Sequence, residues 1–214
     1  MTAGRAVRDE YAAAAPRYDE RWAEYLAETT RRTLARVVLG PGERLLDVGC
    51  GTGVMLRGAA ARFPDGVYVG IDLAPEMLHA ARARGTPPNL IAADAAGLPI
   101  DDATFDVVVT ASSLHFWSDP AAGVCEIARV LRPGGQLVLT DWCSDFLTGR
   151  LIDRWLRWTG RASYHHVFGS AECTRLLAGS GFDVGGVERY RVGVIWGLMT
   201  LSATLAARPG EPQR

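Results

Sequence analysis

The nine residues Leu45-Leu46-Asp47-Val48-Gly49-Cys50-Gly51-Thr52-Gly53 carry the densest chemical signal in the chain. A short apolar run reaches an acid and then three glycines at alternate positions. Such a run, bounded by glycine, reads as a buried strand feeding a tight turn. Glycine serves where backbone takes unusual dihedrals or approaches a ligand closely. Val54, Met55 and Leu56 then open a helix. A ligand therefore belongs at the strand's carboxyl end, against the helix N-terminus. The spacing departs from the dinucleotide fingerprint G-x-G-x-x-G, because position 54 is Val. Asp47 also suits a cationic group and would repel a pyrophosphate.

Two more acids end apolar runs. Val67 to Ile71 leads to Asp72, and an acid there can take both ribose hydroxyls of a nucleoside. A nicotinamide enzyme would share that feature. Leu90 to Ala93 leads to Asp94-Ala95, where a loop amide and an acid can meet an adenine edge. Past a fourth apolar run comes Ala111-Ser112-Ser113-Leu114-His115-Phe116-Trp117. Histidine titrates near working pH, so His115 is the candidate general base for an acceptor whose proton must leave. The competing reading is a histidine that packs the loop or shapes a pocket.

Four ordered pieces, LLDVGCGTG, VGIDLAPEML, AADAAGLPIDDATFDVV and EIARVLRPGGQLVLTD, span residues 44–141. In them the chain resembles the class I S-adenosylmethionine-dependent methyltransferases, in particular the type 11-like group with quinone and small-molecule enzymes. The resemblance implies S-adenosyl-L-methionine as cofactor. It implies that Asp47, Gly49, Cys50 and Gly51 line the methionine end and that Asp72 holds the ribose. Leu73 and Met77 would flank the adenine, Asp94 and Ala95 would read its edge, and Ala111 would lie beneath the donor. Tyr11 and Tyr18 match a family pattern, Y-x(6)-Y-D, in which tyrosines cover the donor; ordinary helix packing is the alternative.

These residues need a scaffold. Strands are expected near 44–48, 67–72, 90–93, 105–111 and 135–141, with helices near 53–62, 75–84 and 120–131. That alternation implies an α/β fold: a Rossmann-like, mostly parallel sheet with helices on both faces. Two last strands, Phe182–Tyr190 and Val192–Ser202, bring the sheet to seven, closed in the family by an antiparallel hairpin. Ahead of the sheet lie two helices, Val7–Ala15 and Asp19–Val38. Residues 145–160 form an apolar, Trp-rich helical insertion, and Ala171–Ser180 is the last helix. The organisation is one domain over 1–206: a helical cap (1–39), a donor-binding core (40–141), a lid (142–170) and the final helix and hairpin (171–206). The tail 207–214, with two prolines and a glycine, is expected to fray.

The chain has 214 residues, 48% hydrophobic, with a net charge of −1, which suits one globular domain and gives no field for nucleic acid. All 23 basic residues are arginine. Cys50, Cys125, Cys143 and Cys173 are scattered and read as reduced thiols of a cytoplasmic protein. No metal is expected, because neighbours such as His165 and His166 rarely face one ion. The spacing of Trp155 and Trp158 suggests one buried face, or the greasy underside of a lid. The expected activity is O- or C-methylation of a small apolar or aromatic acceptor. Two alternatives remain. One is amine methylation of phosphatidylethanolamine-type lipid, encouraged by an amphipathic N-terminus and by Ile195, Trp196, Leu198 and Met199. The other is a donor-binding cyclase or partner protein that does not methylate. Membrane docking ranks behind a soluble acceptor because the near-neutral charge weakens the case for a surface interaction that usually draws on basic clusters. Oligomeric state is open.

Overall fold

The computed structural model describes residues 3–87, 89–160 and 163–207. It contains a seven-stranded sheet of order β3-β2-β1-β4-β5-β7-β6. The strands are β1 (Arg44–Val48), β2 (Val67–Asp72), β3 (Leu90–Ala92), β4 (Phe105–Ala111), β5 (Leu131–Trp142), β6 (Phe182–Val192) and β7 (Trp196–Leu205). β1 to β5 pair in parallel, and β7 runs antiparallel to both β5 and β6. The helices are α1 (Ala3–Ala14), α2 (Tyr18–Arg21), α3 (Ala23–Leu34), α4 (Val54–Arg62), α5 (Pro75–Ala83), α6 (Pro120–Val130), α7 (Leu147–Trp158) and α8 (Ser170–Gly179).

The central strands are apolar on both faces because helices cover both. Leu46, Val48, Val108, Leu137 and Leu139 join one core with Val124 and Ile127 of α6 and Leu177 of α8. Their neighbours Leu45, Val107, Val109 and Val138 face the other way, against Leu34 of α3, Met55 and Leu56 of α4 and Leu78 of α5. Alternation along each strand thus splits the side chains between two layers. The strand order reverses between β1 and β4, and that crevice, at the strands' carboxyl ends, is where open α/β sheets bind ligands.

Several boundaries differ from the sequence expectation: α1 starts at Ala3 rather than Val7, and the helical segment before β1 ends at Leu34 rather than Val38. The second N-terminal helix is not continuous: it breaks at Trp22, whose backbone (φ −114°, ψ 19°) leaves helical geometry between α2 and α3. β5 begins early, at Leu131, which pairs Phe105; Arg132–Gly135 then bulge out before Gln136 pairs Val107, and Gly134 takes φ +77°. The last hairpin turns at 193–195 rather than at 191, with Gly193 at φ +56°. Residues 208–214 of the expected frayed tail lie outside the described residues.

Candidate functional site

β1 ends at Val48, and the chain then bends sharply. The amides of Gly49 and Cys50 both donate to the Ile71 carbonyl, at 2.7 and 2.9 Å, which folds the loop back over β2. Gly49, Gly51 and Gly53 all have positive φ. The sites differ in what surrounds them. A Cβ on Gly49 would meet Ser113 Cβ at 2.6 Å, and one on Gly53 would meet Thr86 Oγ1 at 2.2 Å. A Cβ on Gly51 would meet nothing within 4 Å, so this backbone borders open space. Gly53 is also the uncapped N-cap of α4.

That space is a cleft of about 1100 Å³, open to solvent. All twelve positions expected around the donor line it. Asp47, Gly49, Cys50 and Gly51 come from β1 and its loop; Asp72, Leu73 and Met77 from β2 and α5. Asp94 and Ala95 follow β3, Ala111 ends β4, and Tyr11 and Tyr18 reach over from the N-terminal segment.

Two acids dominate its floor. Asp72 accepts from the Gly51 amide through Oδ2 and from the Ala74 amide through Oδ1, both at 2.8 Å. Burial raises its carboxyl above the usual range, and those two amides oppose the rise. Asp47 is only 2% exposed, and its Oδ2 is buried without a partner. Burial, with the nearby Asp72 charge second, pushes its carboxyl from 3.8 up to about 8. An unpartnered buried carboxylate oxygen is costly unless a cation or donor meets it.

The N-terminal cover is held in place by ions as well as by packing. Asp19 accepts from Thr52 Oγ1 at 2.5 Å and pairs with Arg57 at 3.2 Å and Arg84 at 3.3 Å. It thereby ties the short helix α2 to the glycine loop, α4 and α5. Tyr11 meets Tyr18 and Phe116 with ring centroids 5.9 and 5.3 Å apart, an aromatic wall across the cleft.

His115 stands elsewhere. It is 1% exposed and does not line the cleft. Its Nδ1 donates to Asp141 Oδ1 at 2.5 Å, its ring stacks on Trp142 at 4.0 Å, and its Nε2 is buried without a partner. Phe116 packs against it, tilted, at 4.0 Å and does line the cleft. Nε2 is buried and does not border the cleft in this arrangement, so the geometry lends the base role no support. His165 and His166 also lie away from the cleft, the latter bound to Glu172 at 3.0 Å.

Sequence reasoning missed several lining residues. Phe116, Trp117, Ser112 and Ser113 follow Ala111 directly, and their adjacency was the available signal. Leu26, Thr29 and Thr30 arrive from α3, far off in sequence, and nothing local marks them. The four tail-hairpin residues offered for lipid divide: Leu198 and Met199 are fully buried in β7, Trp196 packs on Trp142, and Ile195 is exposed. Trp155 and Trp158 are exposed too, at 56% and 83%, against the expectation of a buried or lid-lining face.

Comparison with known proteins agrees in kind. The family described as "Methyltransferase domain" matches residues 46–139. A demethylmenaquinone methyltransferase of Mycobacterium sp. (strain KMS) is 41% identical over 113 residues, covering 52% of this chain and 47% of its own. A malonyl-[acyl-carrier protein] O-methyltransferase of Hahella chejuensis is 33% identical over 176 residues, covering 78% and 59%. The chain thus spans about half the length of the curated relatives it matches. Among solved structures, a putative methyltransferase of Haloferax volcanii, in complex with the Trm112 methyltransferase activator, superposes with TM-score 0.82 at 23% identity. That match covers 94% of this chain and 99% of the other.

Proposed function

The chain belongs to the class I S-adenosylmethionine-dependent methyltransferase family, and on that premise we propose that it methylates a small, uncharged, largely apolar acceptor. The residues of the cleft suit the donor. The unpartnered Oδ2 of Asp47 is a place for an ammonium, and the open side of Gly51 admits close approach of a methionine chain. Asp72 keeps acceptor capacity beyond its two amides and would take the ribose hydroxyls. Met77, Leu73 and the Asp94–Ala95 loop would hold the base. Bound there, S-adenosylmethionine supplies a methyl already activated as a sulfonium. The protein's part is then positioning and exclusion of water. Tyr11, Tyr18 and Phe116 wall the cleft, with Asp19 anchoring the segment that carries the two tyrosines. His115, sealed by Phe116 and Trp142 and fixed by Asp141, sets the position of that aromatic wall; it takes no proton from the acceptor.

One observation carries the choice of acceptor. The acidic side chains lining the cleft are Asp47, Asp72 and Asp94; no arginine or histidine joins them among the described residues. A free carboxylate, as in a malonyl group, would find no cationic side chain in this lining to hold it. A neutral ring, as in a demethylated quinol or a phenol, meets an apolar and aromatic wall. The test is formation of S-adenosylhomocysteine with a panel of neutral phenols and quinols beside a malonyl thioester on its carrier. Turnover confined to neutral acceptors is expected. Efficient turnover of the malonyl substrate would overturn the reading.

A further inference from the structure

The helix α7 is built with two faces. Leu156 and Gly149 are buried against the body. Leu147, Leu151, Trp155 and Trp158 are exposed at 67%, 57%, 56% and 83%. At about 100° per residue these four fall within roughly 80° of one another, and Leu156 falls opposite them. The most apolar stripe of the helix therefore points to solvent. Exposed apolar surface of this kind marks an interaction site, whereas single exposed residues do not.

Charge says which kind. Arg150, Arg154 and Arg157 are exposed along one border of the stripe. Arg157 pairs with Asp153 at 3.0 Å. Arg150 bonds only the Ser144 carbonyl, and Arg154 has no partner among the described residues. A second exposed apolar segment lies near the helix start. Arg191 lies over the Phe146 ring at 5.2 Å, and Phe146 packs on Gly197, which places the β6–β7 turn beside the first turn of α7. That turn exposes Val194 (82%) and Ile195 (56%). Leucine and tryptophan on one side, with unpaired arginines beside them, are the make-up of a helix lying in a membrane interface. Arginine beside such a stripe draws anionic lipid headgroups.

We propose that α7 and the β6–β7 turn form a surface that docks the protein on an anionic membrane, with Leu151, Trp155 and Trp158 entering the headgroup region and Arg150 and Arg154 meeting lipid phosphates. The net charge of −1 does not report this site, because it sums the whole chain, whereas α7 alone carries three arginines and one acid. The surface stands apart from the cleft, so it is testable without the donor and independently of the methyltransfer reading.

The experiment is cosedimentation of the full chain with phosphatidylcholine vesicles, with and without phosphatidylglycerol. The expected result is binding to the anionic vesicles, weakened by added salt, with a blue shift of tryptophan emission. The double variant Trp155→Ser/Trp158→Ser should bind about tenfold or more weakly, because two large apolar side chains no longer partition. Arg150→Glu/Arg154→Glu should remove the preference for anionic lipid. Circular dichroism unchanged in both pairs keeps the loss attributable to the surface, since all four side chains are exposed. Absence of binding to anionic vesicles would overturn the proposal. So would binding that the variants leave intact, or a dimer in solution that Trp155→Ser/Trp158→Ser converts to monomer, since a second copy would then cover the stripe.

Discussion

Binding of S-adenosylmethionine should release close to one proton at neutral pH, and the proton comes from Asp47. Its carboxyl is pushed to about 8 by burial and by Asp72, so about nine in ten ligand-free sites hold the proton at pH 7. An ammonium placed at Oδ2 needs the ionised form. Affinity should therefore rise about tenfold per pH unit, or 1.36 kcal/mol, between about pH 6 and pH 7.5. Above about pH 8 the gain stops, because Asp47 is already ionised in the free site and the ligand's own α-amino group begins to lose its charge. The same shift has a stability sign. The folded-state pKa lies above the unfolded one, so the native chain keeps a proton that the unfolded chain has lost. Stability of the ligand-free protein should fall as pH rises from about 4 to about 8, by on the order of 5 kcal/mol in total. The assay is calorimetric titration in buffers of different ionisation enthalpy, which counts protons directly. Asp47→Asn should show neither proton release nor the pH slope. Methylthioadenosine, which lacks the amino acid, should bind wild type without a slope. A flat affinity profile in wild type, with no proton released, would refute the reasoning.

Three more outcomes follow from the geometry. His115→Asn, which can still donate to Asp141, should keep turnover within about tenfold with an unchanged pH profile; a loss of 10²-fold or more together with a lost acidic limb would restore the imidazole as base. Asp19→Ala leaves Arg57 and Arg84 without their carboxylate and frees α2, so residues 3–22 should become protease-sensitive and donor affinity should fall by roughly tenfold. Protection of that segment equal to wild type would contradict the anchoring role. Gly49→Ala combines φ +78° with a 2.6 Å approach to Ser113, so it should abolish donor binding or lower the melting temperature by several degrees, about 1–3 kcal/mol.

The layered core was legible because its signals are local. Apolar runs such as Leu45–Val48 and Val107–Val109 report burial on both faces wherever they sit, and each ends in the acid or small residue that then lines the cleft. What the sequence concealed depends on the third dimension. Trp22 breaks a helix through its backbone alone, and no glycine or proline marks the place. Thr29 and Thr30 reach the cleft only because α3 packs across it. His115 carries a plausible base's side chain, yet Leu114 and Phe116 direct it inward to Asp141, a partner 26 residues away. The spacing of Trp155 and Trp158 correctly indicates a shared face, but periodicity does not say whether that face meets protein or water.

The most direct test of the whole account is equilibrium titration of wild type and Asp72→Ala with S-adenosylmethionine, S-adenosylhomocysteine and NAD. The account predicts micromolar binding of the first two, at about −7 to −8 kcal/mol, loss of most of that affinity in Asp72→Ala, and no binding of NAD. Binding of NAD with none of either adenosyl ligand would contradict it.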